Sequence, residues 1–305
     1  MSPGRHFHDT RYEDFLASAC AIGPALARAG ERPLGETILA AVRATRAWTR
    51  SNTNLGIVLL LAPLAAAALA DAPGNAPAGP PPHRDDSSVP HDGGTEFAPD
   101  GANPRALVAA PALRARLERV LAATTVGDAA ALYEAIRLAR PGGLGRAAAQ
   151  DVRDRPTVTL AEAMALAADR DGVAREYATG FARSFDVGAP ALARARGEGL
   201  AWDDAVVEAY LALLAAAPDT HLARKRGAGV AAEVQRLARA ATEAGGVRTP
   251  AGRALVAALD ERLRDARNAS NPGTTADLTA SAIFVHLLSG GWASPEDRSH
   301  EHANG

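Results

Sequence analysis

Apolar positions recur at three- and four-residue spacings along most of the chain, the period of a helix with one buried stripe. Between residues 12 and 29, Phe15, Leu16, Ala19, Ile22 and Leu26 form such a stripe. Thr10 and Glu13 read as a capping box at its start, and Gly30 marks its end. From Pro33 to Trp48 the pattern returns through Leu34, Ile38, Ala41, Val42 and Thr45. Residues 55–70 carry no charge and are interrupted by Pro63. That run of 16 residues falls short of the roughly 20 needed to cross a bilayer. A central helix, buried on all sides, is the expectation.

The same grammar continues downstream. Thr159 and Glu162 form another capping box. Thr249-Pro250 reads as the cap and first residue of a helix through about Arg267. Residues 205–216, 229–243 and 275–288 are also expected to be helical. Thr157-Val158-Thr159 is too short to count as a strand, and no alternating β-branched run exists. The expectation is an all-α chain of ten or more helices, forming a single bundle domain over residues 1–293. No fixed-period repeat points to a solenoid.

Two segments break the pattern. Ala72–Pro104 holds 8 of the 20 prolines and 5 glycines, and Arg84 stands against five acidic residues. Such a segment buries too little apolar surface to offset its ordering entropy. It reads as a disordered surface loop between two core helices, with a domain linker as the weaker alternative. Residues 294–305 read as a flexible tail.

Composition narrows the class. A formal charge of −2 over 305 residues excludes the basic footprint of a dedicated nucleic-acid binder or a polybasic membrane-surface protein. Lys225 is the only lysine. A single cysteine, Cys20, excludes an internal disulfide framework and a multi-cysteine zinc site, and a reducing cytoplasm is the natural compartment. Aromatic residues make up only 4%, so Ala, Leu and Val must build the core.

Three polar clusters interrupt the apolar helices. Ser51-Asn52-Thr53-Asn54-Leu55-Gly56 precedes the most apolar helix, and backbone N–H groups there could receive an anion; plain N-capping explains it as well. In Asp219-Thr220-His221-Leu222-Ala223-Arg224-Lys225-Arg226-Gly227-Ala228-Gly229 three cations meet two glycines. Phosphate recognition uses those parts, and Asp219 could hold a magnesium ion shared with phosphates. Basic residues at a helix C-terminus are the equal alternative. In Asn271-Pro272-Gly273-Thr274-Thr275-Ala276-Asp277-Leu278, a threonine caps a helix and Asp277 sits in its first turn. Favouring the helix dipole accounts for Asp277; binding a metal or a ribose hydroxyl is the functional reading. His6 and His8 are a weak metal signal. Walker A, Rossmann and nucleophile-elbow patterns and the His-Glu-x-x-His helix are all absent.

Together with Arg32-Pro33-Leu34-Gly35-Glu36, these clusters, in this order, resemble the triphosphoribosyl-dephospho-CoA synthase family. The resemblance covers roughly residues 3–288, apart from the 72–104 insertion. It implies a transferase that moves the 5-triphosphoribosyl group of ATP to the 2′-hydroxyl of 3′-dephospho-CoA and releases adenine. The product would be the precursor of an acyl-carrier prosthetic group. Asp219 and Asp277 would then be catalytic and hold magnesium. Asn52, Thr53, Asn54, Gly56, Arg224, Lys225, Arg226, Gly227, Thr274 and Thr275 would bind ATP and its phosphates. Two departures mark a divergent branch. Ser2-Pro3-Gly4 stands where the family carries a helix and Pro-Lys-Pro-Gly, which points to a start further upstream. Asn52-Thr53-Asn54-Leu55-Gly56 stands where better-known members resemble Asn-Thr-His-Lys-Gly. A related ribosyltransferase with another acceptor and a catalytically inactive nucleotide-binding protein remain open alternatives.

Overall fold

The computed structural model describes residues 10–70, 108–264 and 270–291. The 72–104 loop, the 294–305 tail, and His6 and His8 lie outside the described residues. Described residues form helices and connecting turns, with no strand among them. The helices are α1 (Tyr12–Ala27), α2 (Leu34–Trp48), α3 (Leu55–Leu69), α4 (Ala110–Ala122), α5 (Val126–Ala139), α6 (Leu160–Ala165) and α7 (Gly172–Ala178). After a π-helical turn at Ser184–Gly188 come α8 (Ala189–Gly197), α9 (Trp202–Ala216), α10 (Thr220–Arg226), α11 (Ala228–Glu243), α12 (Pro250–Leu263) and α13 (Gly273–Leu288).

The uncharged run forms α3 and is central, as its composition demands. Val58, Leu60, Ala62, Leu64 and Ala67 are fully enclosed by α1, α2, α4, α7 and α13. Leu113 and Leu117, one turn apart on α4, are equally enclosed. Each such leucine contributes about 2 kcal/mol of apolar burial. No helix among the described residues is long and apolar enough to cross a membrane. A second apolar cluster joins α9, α10, α11 and α12 through Leu211, Leu214, Leu222 and Val234. Helix α13 packs against both α3 and α9, so it bridges the two cores.

Polar groups set the close crossings. Gly35 donates its N–H to Asp128 Oδ1 at 2.8 Å, and a Cβ there would overlap the Asp128 backbone. The Arg32–Glu36 motif therefore makes a tight α2–α5 crossing. Glu176 on α7 is fully buried. Its carboxylate accepts from Arg183 N, Ser184 N and Ser184 Oγ, which shapes the turn leading into α8. Burial pushes its carboxyl upward while those bonds oppose the shift.

Several local expectations change. Helix α1 starts at Tyr12 as expected, but its cap is one residue later than Thr10: Asp14, not Glu13, reaches back to accept the Arg11 N–H at 2.8 Å. Its buried face is Ser18, Ile22 and Ala25, whereas Leu16 is 51% exposed. On that buried face, Ser18 Oγ lies 2.6 Å from Thr53 Oγ1. Helix α13 begins at Gly273 with no side-chain cap, so Asp277 sits past the first turn. Thr159–Glu162 and Thr249-Pro250 cap α6 and α12 as expected. The latter helix ends at Leu263, short of Arg267, which lies outside the described residues.

Candidate functional site

The turn before α3 faces two ways. Asn52 Oδ1 accepts the Leu55 N–H at 3.1 Å and caps the helix, and the residue lines a cavity. Thr53 and Asn54 are buried on the other side. Asn54 bonds the Thr45 hydroxyl and the Ser18 carbonyl, which fastens α3 to α1 and α2. Gly56, one turn up, must lack a side chain, because a Cβ would collide with the Asp277 carboxylate.

A polar joint holds α10, α13 and α7 together. Asp219 caps α10 by accepting the Leu222 N–H at 2.8 Å. Its other oxygen accepts Thr275 N at 2.7 Å and Thr275 Oγ1 at 2.8 Å. Thr274 Oγ1 accepts from His221 N and lies 3.0 Å from Thr220 Oγ1. Thr220 in turn accepts the Gly172 N–H at 3.0 Å. This web aligns the first turn of α13 and so aims Asp277 past it.

Asp277 lines the cavity and accepts no hydrogen bond from any described residue. Burial pushes its carboxyl well above the usual carboxylate range; the charges of Asp219 and Asp171 add to this, and Arg224 opposes it. Asp171 stands nearby as the cap of α7, its Oδ1 accepting from Val173 N and Ala174 N. Its Oδ2 takes Arg224 Nη1 at 2.7 Å. His221 completes this wall. Burial lowers its pKa, helped by the Lys225 charge and opposed by Asp219, so its imidazole favours the neutral form.

The cavity measures ≈ 210 Å³ and is open on one side. Leu132 and Ile136 from α5 and Met164 and Ala167 around α6 add an apolar part to the lining. Tyr133 belongs to it, its hydroxyl already donated to Gln150 O at 2.8 Å. The 140–157 connection contributes further lining through residues such as Pro141, Leu144 and Val152. Asp151 braces it by accepting from Ala147 N and Arg153 N, bonds that also hold its carboxyl below the usual range. A Cβ placed on Gly143, where φ is +73°, would stand 3.9 Å from Arg224 Cβ.

Comparison with known proteins decides the family. The model of the ATP:dephospho-CoA triphosphoribosyl transferase family matches residues 1–296. The chain belongs to this family. A relative from Pseudomonas aeruginosa (strain UCBPP-PA14), called "Probable 2-(5''-triphosphoribosyl)-3'-dephosphocoenzyme-A synthase", is 42% identical over 126 residues, 40% of this chain and 42% of the relative. One of the same name from Pseudomonas savastanoi pv. phaseolicola is 34% identical over 168 residues, 48% of this chain and 57% of the relative. The chain thus matches about two fifths to just over half of the length of these curated relatives. A crystal structure from Archaeoglobus fulgidus, named "putative triphosphoribosyl-dephospho-coA synthase", is 27% identical with a TM-score of 0.61. The match covers 90% of this chain and 99% of that one.

The family motifs divide between the cavity and its supports. Of the residues expected from sequence, Asn52, Gly56, Arg224, Thr274 and Asp277 meet at the cavity. Thr53, Asn54, Asp219 and Thr275 lie buried in the joints behind it. Arg224, Lys225 and Arg226 form the last turn of α10, and only Arg224 of the three reaches the cavity wall. Lys225, Arg226 and Gly227 are exposed. Asp171, Arg170 and the 140–157 connection line the cavity but escaped the sequence reading. Asp171-Gly172 ahead of an apolar run is a capping signal that could have drawn attention to that residue. No group of three or more metal-ligating acidic, histidine or cysteine side chains gathers among the described residues.

Proposed function

We propose that the chain transfers the 5-triphosphoribosyl group of ATP to the 2′-hydroxyl of 3′-dephospho-CoA, with release of adenine. The observation that carries this reading is Asp277, a carboxylate with no donor of its own, set in a cavity that Arg224 and a group of apolar side chains also line. Family membership supplies the reaction class.

The parts divide naturally. The apolar wall of Leu132, Tyr133, Ile136 and Met164 suits a purine ring. Arg224 suits a phosphate. Asp277 takes the proton of the attacking 2′-hydroxyl, a role its raised basicity favours. The new bond joins that oxygen to C1′ of the ATP ribose. The C1′–N9 bond breaks, its electron pair leaves with adenine, and the adenine takes up a proton. An oxocarbenium-like transition state gains from a nearby negative carboxylate.

Magnesium fits this site at one side chain. Both Asp277 oxygens are without donors, and magnesium is commonly held by one or two carboxylates plus substrate phosphates. Asp219 offers no comparable oxygen, since it already accepts three hydrogen bonds; its role is to position α13. Held at one Asp277 oxygen, the ion would neutralise triphosphate charge and keep the carboxylate ionised, leaving its other oxygen to accept the hydroxyl proton. Cytoplasm is the proposed compartment, in keeping with the unpaired Cys20.

The test is chromatographic detection of adenine from ATP and magnesium, with and without dephospho-CoA. Adenine formed in step with acceptor consumption supports the reaction. Adenine formed only with a different hydroxyl acceptor reassigns the substrate, and none with any acceptor leaves a binding protein.

A further inference from the structure

We infer that Asp171 is a positioning residue for anion binding: one carboxylate oxygen fastens the start of α7, while the other holds the Arg224 guanidinium where it can take a phosphate. The inference rests on the proposed reading of the cavity as an ATP site and names a residue which that reading does not use. Asp171 Oδ1 accepts from Val173 N at 2.9 Å and Ala174 N at 3.0 Å. Its Oδ2 accepts from Arg224 Nη1 at 2.7 Å. Every other Arg224 nitrogen is without a hydrogen-bond partner among the described residues, and the residue lines the cavity. The guanidinium is therefore gripped at one corner and available at the others.

The grip stands on a fixed base. Gly172, next in the chain, donates its N–H to Thr220 on α10. A Cβ at Gly172 would run into the Thr274 methyl of α13. Asp171 is thus anchored to both helices that carry the polar wall. The two side chains of the pair are only 28% and 29% exposed, so water screens them less than it would a surface pair. A long side chain that is already tethered has little freedom left to lose when a ligand arrives. The negative charge of Asp171 is matched by Arg224 and two backbone N–H groups, which limits its repulsion of an incoming phosphate.

A double-mutant cycle read by calorimetric binding of ATP and of inorganic tripolyphosphate tests this. Asp171→Asn keeps an oxygen for the α7 cap and drops the charge. Asp171→Ser keeps a capping hydroxyl and serves if the first variant folds poorly. Asp171→Asn and Arg224→Ala should each weaken binding about tenfold. The double variant should bind no more weakly than Arg224→Ala alone, because both changes remove one coupled unit. Thermal unfolding of Asp171→Asn should match the parent. Unchanged binding in Asp171→Asn overturns the inference, as does an equal loss whether or not Arg224 is present. Adenine release by the parent chain separates the two readings. If tripolyphosphate binding shows the coupling while no adenine appears, the reaction falls and the role of Asp171 stands. If the parent binds neither probe, both fall.

Discussion

Asp219 and Asp277 belong to adjoining regions, the joint behind the cavity and the wall in front of it. Asp219 is 2% exposed and accepts from Leu222 N, Thr275 N and Thr275 Oγ1. Asp277 follows Thr275 by two residues on α13 and accepts nothing from the described residues. Both are aspartates, and both lie near helix N-termini. A fully bonded buried carboxylate holds structure together. An unbonded one facing a cavity raises the energy of the empty site, and a ligand can recover that energy. The same residue type thus serves as a fastener in one region and as a reactive group in the other.

Substitution at the wall should give the largest effect. Asp277→Asn is expected to lower adenine release about a thousandfold while leaving the fold intact, because the amide keeps the shape and loses the base. Its stability should depend on pH in a defined direction. The unfolded carboxyl titrates at about 3.9, and the folded one is raised above that. Between the two values the native state holds a proton that the unfolded state has lost. The stability of the parent chain therefore falls as pH rises from about 4 through the folded value. Urea midpoints from pH 4 to 8 should fall further in the parent than in Asp277→Asn, and parallel curves would contradict the burial argument.

At the joint the effect should appear in stability. Asp219→Ala leaves two backbone N–H groups and a hydroxyl without their acceptor, at a cost of about 3 kcal/mol in urea unfolding. Asp219→Asn should recover part of it by keeping one oxygen. Equal stability of Asp219→Ala and the parent would remove the distinction between the two regions. Gly56→Ala sharpens it from the other side. Alanine favours the helix by about 0.9 kcal/mol, yet its Cβ would displace the Asp277 carboxylate. A fall in kcat of about tenfold with no loss of thermal stability is expected.

The smallest effect is reserved for Lys225. It is the only lysine, but it is exposed and does not line the cavity. Lys225→Ala should change ATP binding by about twofold or less, against about tenfold for Arg224→Ala. A larger Lys225 effect would show that the triphosphate extends out of the cavity along the last turn of α10.

Most of the fold was legible in the chain. Periodicity placed α2, α3, α9, α11 and α13, because a helix must bury one stripe, or all of itself, to be stable in water. A capping box located the start of α6, and a threonine cap followed by proline located that of α12, for an equally local reason. Helices α4, α5, α8, α7 and α10 were not placed; in the last two, seven residues carry too little pattern to separate a helix from a turn. The exposure of Leu16 escaped too, because the face of α1 that is buried includes a contact, Ser18–Thr53, between residues 35 positions apart.

The site was legible only as a set of polar clusters. Their residue types, and their resemblance to one family, were local information, so the sequence alone determined the helical class and the candidate motifs. It could not say which member of each cluster faces inward. Asn52 and Asn54 differ by two positions, yet one lines a cavity and the other is buried against Thr45 and Ser18, because the chain bends between them as it enters α3. Arg224 and Lys225 are neighbours, but successive helical residues point about 100° apart, and only Arg224 meets the Asp171 carboxylate at the start of α7. Asp171 entered the site from a helix start 53 residues away from Arg224. Tertiary structure made those choices, because a carboxylate becomes a cap, a tether or a base only through the groups that reach it.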